Sequence, residues 1–236
     1  MNFRDLSWGA LCFYYRSAGD RKYCRIMGDE SQFVTRLRRA PQDITPEEFE
    51  QKVILDHVNI ESYDVLIGHR LAERLLETIV EMHPQSSALE NVSLLDCDLQ
   101  NAEIAESVGR IYSSLCSMEG LWATGVSKIA HLLNDRLLAP LNLDMSSHFQ
   151  LVDGGPGHMQ WLAILQQNAK EVADDFRAGG LPGTPEEFLS NKLGYSQRGC
   201  RKSLVKYLDE YFWLRYGDNL PVPPPWTPDP YQLVTS

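Results

Sequence analysis

The residues of this chain with chemistry to offer are six scattered histidines, two short carboxylate pairs and a lysine, Lys128, at the opening of a helix. His57, His69, His83, His131, His148 and His158 show no metal-ligand spacing, and each reads as a surface or capped core imidazole, so no metal site is expected. Asp96 and Asp98 could share one face of an extended segment, as a magnesium site or an acid/base pair requires, although capping a helix that starts near Leu99 explains them more simply. Asp174 and Asp175 fall in mid-helix, where neighbouring side chains point apart. Lys128 follows Gly120-Leu121-Trp122-Ala123-Thr124-Gly125-Val126-Ser127. There an apolar helix ends, a short turn carries two glycines and a second helix opens. Asp144 stands just beyond the proline-containing loop Ala139-Pro140-Leu141-Asn142-Leu143.

No phosphate-cradling G-x-x-x-x-G-K-S/T loop occurs, nor G-x-S-x-G, H-E-x-x-H or H-x-E with a paired C-x-x-C. Nucleotide hydrolases, serine hydrolases and zinc enzymes of the common kinds are thereby disfavoured, and no cofactor is expected. The five cysteines are scattered and odd in number, which reads as reduced thiols in a cytoplasm. Met1 to Ser17 is not patterned as a secretory leader, and no window is apolar enough to span a bilayer. The formal net charge of −10 makes the chain as a whole a poor ligand for nucleic acid,. Two basic runs stand out locally, Arg36/Arg38/Arg39 and Arg198/Arg201/Lys202/Lys206, and both read as solvated helix faces balanced by acids elsewhere.

The elements that must position these residues are helices. Thr45-Pro46-Glu47-Glu48 and Thr184-Pro185-Glu186-Glu187 each place a hydroxyl at the N-cap, proline at the first helical position and glutamate three residues after the cap. Helical periodicity then predicts helices over 62–82, 99–118, 126–138, 158–177 and 197–216. Gln85 to Asn91 reads as a loop, and Lys22 to Met27 as a minor hairpin. Val92–Leu95 and His148–Val152 are ambiguous short stretches, and Asp153-Gly154-Gly155-Pro156-Gly157 is the strongest internal breaker. The expected fold is all-α: one helical domain over 1–218, of seven to nine helices in two lobes divided near 153–157. A proline-rich tail over 219–236 is expected to be packed on the body or extended.

The stretch from 110 to 150 resembles the helix-hairpin-helix DNA glycosylase superfamily, with Gly120 and Gly125 standing in place of its tight glycine pair. It is similar also to uncharacterised bacterial helical proteins with the same glycine, Ser-Lys and Pro-to-Asp order. The resemblance implies that the hairpin, through Gly120, Trp122, Gly125 and Ser127, meets DNA. Backbone amides would receive a phosphate and Trp122 would stack on a flipped base. It further implies that Lys128 is a Schiff-base nucleophile and Asp144 assists loss of the base, which is base-excision glycosylase/lyase chemistry. Read without it, Gly125 permits a helix-helix turn, Lys128 is solvated, Asp144 caps a helix and Trp122 anchors the core. The alternative function is non-catalytic: an acidic helical protein whose aromatic-rich ends dock a protein partner or a second copy of the chain.

Overall fold

The computed structural model describes residues 1–17, 20–28, 32–58 and 65–218, with backbone alone over 65–69; the proline-rich tail lies outside the described residues. Among them there are twelve α-helices and no strand. In chain order these are α1 (Phe3–Arg16), α2 (Arg21–Met27), α3 (Phe33–Arg39) and α4 (Pro46–Phe49), which runs on as a π-helix over Glu50–Val58. Next come α5 (Val65–Glu81), α6 (His83–Ala88), α7 (Ala102–Cys116), α8 (Ala123–Leu133) and α9 (Leu143–His148). The last are α10 (Gly155–Ala178), α11 (Pro185–Lys192) and α12 (Leu204–Phe212), which ends in a π-turn over Trp213–Gly217. No helix among the described residues is long and apolar enough to cross a membrane.

Both threonine caps form as expected. Thr45 Oγ1 accepts from the Glu48 amide at 3.2 Å, and Thr184 closes a full capping box with Glu187. Elsewhere the expected boundaries move, each for a local reason. Lys22–Met27 is helical, not a hairpin: α2 buries Tyr23 and Ile26, three residues apart, on one face,. His83–Ala88 forms α6 with Pro84 in its first turn, where a missing N–H costs nothing,. Asp96 and Asp98 do not cap α7; Asn101 does, accepting from the Glu103 and Ile104 amides at 3.0 and 3.3 Å. The final helix starts at Leu204, not near Gln197. Gly199 turns left-handed at φ 68°, and Ser203 then caps the helix by accepting from the Lys206 amide at 3.2 Å.

A single apolar cluster runs from Phe3 to Phe212 and draws on helices from both sides of the 153–157 breaker. α10 begins inside that breaker. A β-carbon on Gly157 would stand 1.7 Å from the Val152 carbonyl oxygen, so only glycine fits there,. Trp161, Leu162, Leu165, Ala169 and Val172 form the fully buried stripe of α10, and the large members each contribute about 1.5–3 kcal/mol by leaving water. The Trp161 indole donates to the Pro140 carbonyl at 2.8 Å, fastening the 139–142 segment to the core. Asn134 fixes the same connection from its other end: its amide donates to the Leu89 and Val92 carbonyls at 2.6 and 3.0 Å. Its side-chain oxygen accepts from the Arg136 and Leu137 amides.

Candidate active site around Lys128

The α7–α8 hairpin turns at Gly120, where φ is 87°. Trp122 occupies the N-cap of α8 in an extended conformation, with no side-chain cap on the first amides. Its indole is 75 % exposed, so it does not anchor the core. Gly125 serves close approach instead of the turn. A β-carbon there would lie 2.7 Å from Leu121 Cδ1 and 3.4 Å from Val58 Cγ1, so the glycine lets α8 settle against the π-helix. Ser127 is fully buried. Its hydroxyl accepts from the Leu141 amide at 2.8 Å and has the Leu141 and Thr124 carbonyls as acceptors within 3.1 Å. That hydroxyl is used inside the chain and offers nothing to a phosphate, contrary to the expected DNA-contact role.

Lys128, on the next turn, is partly buried. Its Nζ has one hydrogen-bond acceptor among the described residues, the Val58 carbonyl at 3.5 Å, and no ion pair. Burial lowers its pKa below the ordinary lysine value. The Lys206 and Lys22 charges push the same way, while Asp209 and Asp20 oppose them,. The neighbouring His57 carries a buried Nε2 with no partner. Its pKa falls to about 3 through burial first and then through the charge on Lys128. On the inner side of α8, His131 is fixed as the Nδ1–H tautomer by donation to the Leu138 carbonyl at 2.6 Å. Its Nε2 lies 3.2 Å from the Tyr23 hydroxyl,.

The acids whose charges act on Lys128 belong to a buried charge cluster built by the start of α2 and by α12. Lys202 is fully buried, with its Nζ 2.5 Å from Glu210 Oε1 and 2.9 Å from Asp20 Oδ2. Lys206 lies 2.9 Å from Asp209 and 3.4 Å from Glu210. Two ammonium groups thus face three carboxyls. Burial pushes Glu210 up to about 7, against the pull of Lys202 and Lys206 and with help from Asp20. Burial would also raise Asp20, but Lys206, Lys202 and hydrogen bonds from Lys202 and Glu210 outweigh it and hold this carboxyl below its usual range. A proton on Glu210 shared toward Asp20 leaves two cations balanced by two anions, which is the neutral arrangement a buried site favours. Asp20 adopts the left-handed region, φ 50° and ψ 52°, a conformation that costs a non-glycine residue free energy and is held here by its ion pair.

Asp144 lies elsewhere. It is exposed, and its Oδ2 lies 3.4 Å from where a β-carbon on Gly217 would stand, beside the Trp213 turn. The charges acting most strongly on Lys128 do not include it. The first basic run is neutralised by ion pairs: Arg36 with Glu48, Arg38 with Asp135 and Arg39 with Glu90. In the second run Lys202 and Lys206 are the buried cluster, not a solvated face. Asp96 accepts from Ser93 Oγ, Asp98 from the Gln100 amide at 2.9 Å, and Asp175 from the Phe3 amide at 2.9 Å. No group of three metal-ligating side chains occurs among the described residues.

Asp20, Lys202, Lys206, Asp209 and Glu210 escape a sequence reading that treats charge as exposure. Lys206, Asp209 and Glu210 stand three and four residues apart on one polar face of α12, opposite Leu204, Val205, Leu208 and Phe212, which is the pattern of a solvated helix face,. No family model, curated protein or solved structure matches this chain.

Proposed function

We propose that this chain acts on DNA as a helix-hairpin-helix-like protein of the glycosylase/lyase kind, with Lys128 as the amine nucleophile and Asp20 and Asp209, in place of Asp144, as its assisting carboxylates. The observation that carries this reading is the partly desolvated Lys128 amine, which among the described residues has no ion pair and only the Val58 carbonyl as acceptor, and which feels the charges of those two acids. Loss of its proton exposes the nitrogen lone pair, which attacks C1′ of a deoxynucleotide. The glycosidic bond breaks and the base leaves with the bonding pair, taking up a proton. Opening of the sugar ring then leaves an imine between Lys128 and C1′. The carboxylates stabilise positive charge developing on the sugar. The uncapped amides of α8 and the exposed Trp122 lie on the hairpin leading to Lys128, suited to a phosphate and a base face,.

The test is borohydride trapping on duplex DNA bearing an abasic site. Reduction of the imine is expected to give a covalent protein–DNA adduct that maps to Lys128. The Lys128→Ala and Lys128→Arg variants are expected to lose it, arginine keeping the charge without a usable amine. Asp209→Asn should slow trapping by about a hundredfold, in the range for removing one electrostatic stabiliser, whereas Asp144→Asn should leave it unchanged. No adduct with the folded wild-type chain, or an adduct that survives Lys128→Arg, would remove the proposal.

A further inference from the structure

A cleft of about 710 Å³ opens between α11 and the segments at 93–96, 135–136 and 196–205; Lys128 is not among its walls. Most of its charge is already committed. Asp135 pairs with Arg38 at 2.7 Å, Asp96 accepts from Ser93, and Glu187 is held in the Thr184 capping box. Three charged side chains of the lining remain without a full complement of partners. Arg136 and Arg201 are exposed and have no ion pair among the described residues, and Glu186 buries its Oε2 with no hydrogen-bond partner. Asn191 adds an uncharged donor and acceptor to the same wall.

Two guanidinium groups select an anion, and phosphate oxygens suit their planar fork. A buried carboxylate oxygen without a donor selects a ligand group that brings one, because leaving it unsatisfied costs more than pairing it returns. The volume falls within the range of small-molecule sites. From the coincidence of two unpaired arginines and one unsatisfied carboxylate in one cleft, we infer that this is a binding site for a nucleoside monophosphate whose base carries an exocyclic amino group. Arg136 and Arg201 take the phosphate and Glu186 accepts from the amino group, as carboxylates accept from cytosine N4 in base recognition. The site goes beyond the Lys128 reading and does not depend on it.

Cytidine and uridine 5′-monophosphates discriminate sharply, since they differ at the amino position and little elsewhere. Calorimetric titration of the full chain is expected to show saturable binding of the cytidine nucleotide, and binding weaker by about tenfold or more for unphosphorylated cytidine and for the uridine nucleotide. Arg136→Ala and Arg201→Ala should each weaken the cytidine nucleotide by about tenfold or more, and Glu186→Gln should abolish the preference for cytidine over uridine. Both arginines are exposed, so these variants should fold, and an unchanged thermal midpoint checks that they do. No saturable binding of cytidine, guanosine or adenosine monophosphate at millimolar concentration would overturn the inference. So would inorganic phosphate binding as tightly as the nucleotides, or full affinity in the Arg136→Ala/Arg201→Ala double variant.

Discussion

Replacing Lys202 with methionine is expected to lower the unfolding free energy by about 3–5 kcal/mol, the usual consequence of removing one partner from a buried ion pair. The side chain has no exposure, and it faces Glu210 and Asp20 at 2.5 and 2.9 Å. Its ammonium also lies over the Tyr195 and Phe13 rings, at 4.4 and 4.9 Å from their centres. Methionine preserves length and apolar packing, so the loss reports the carboxyls left without their cation. Removing both charges in Lys202→Met/Glu210→Leu should recover much of the deficit, because a well-packed apolar pair is commonly as stable as the ion pair it replaces. Urea unfolding midpoints with unchanged slopes measure both effects. A loss below about 1 kcal/mol in the single variant would place Lys202 among surface charges and contradict the buried cluster.

Acidification should unfold the protein well before its exposed carboxylates are fully protonated. His131 and His158 are both buried, and burial lowers each from 6.5 to about 4. A base whose pKa is depressed in the folded state adds stability that is fully present above its unfolded value and is lost as pH falls through the folded one. Each therefore contributes about 3 kcal/mol at neutral pH that disappears between pH 6.5 and about 4,. His131 resists protonation because it is fully buried, and this outweighs the Asp135 charge and the Nδ1–H bond to the Leu138 carbonyl, which both favour the charged ring. His158 is stacked flat on Tyr112 with ring centres 4.0 Å apart. His57, lowered to about 3, acts in the same direction.

Glu210 opposes them. Its pKa is raised from 4.5 to about 7, so its stabilising proton is fully bound below the unfolded value and is lost as pH rises through the folded one. Three histidines outweigh one carboxyl on the acid side, and Glu210 alone tilts the neutral side. Denaturant midpoints should fall steeply from pH 6.5 to 4, opposed by a Glu210 contribution that is lost as pH rises from 4.5 to about 7 and that vanishes in Glu210→Gln. A flat profile between pH 6.5 and 4 would show that the two buried histidines are protonated at little cost.

Helix starts were the most legible feature of the sequence because their chemistry is local. Thr45 and Thr184, with proline and glutamate at fixed offsets, make the expected caps whatever the rest of the chain does,. The all-α class followed from apolar spacing for the same reason. Boundaries set by tertiary contact were not legible: nothing near Ser203 announces that Gly199 will turn left-handed and delay the last helix. At the candidate site the lysine was legible and its partners were not. Lys128 stands out by its place after a glycine turn, and its partial burial depends on Gly125 letting α8 approach Val58. Asp144 was singled out by its place just beyond the proline-containing loop, whereas the acids whose charges act on Lys128 come from the start of α2 and from α12, at positions 20 and 209. Sequence distance carries no information about which helices cross.

The proton affinity of the partly desolvated Lys128 amine can be measured without any substrate. Competitive acylation of the folded protein across a pH series, with peptide mass analysis, gives the pKa of each reactive lysine. Lys128 is expected to titrate below the ordinary 10.5, with Lys202 and Lys206 shifted above it by their carboxyl partners. A Lys128 value at or above 10.5 would mean a solvated or paired ammonium, and the nucleophile would be lost with it.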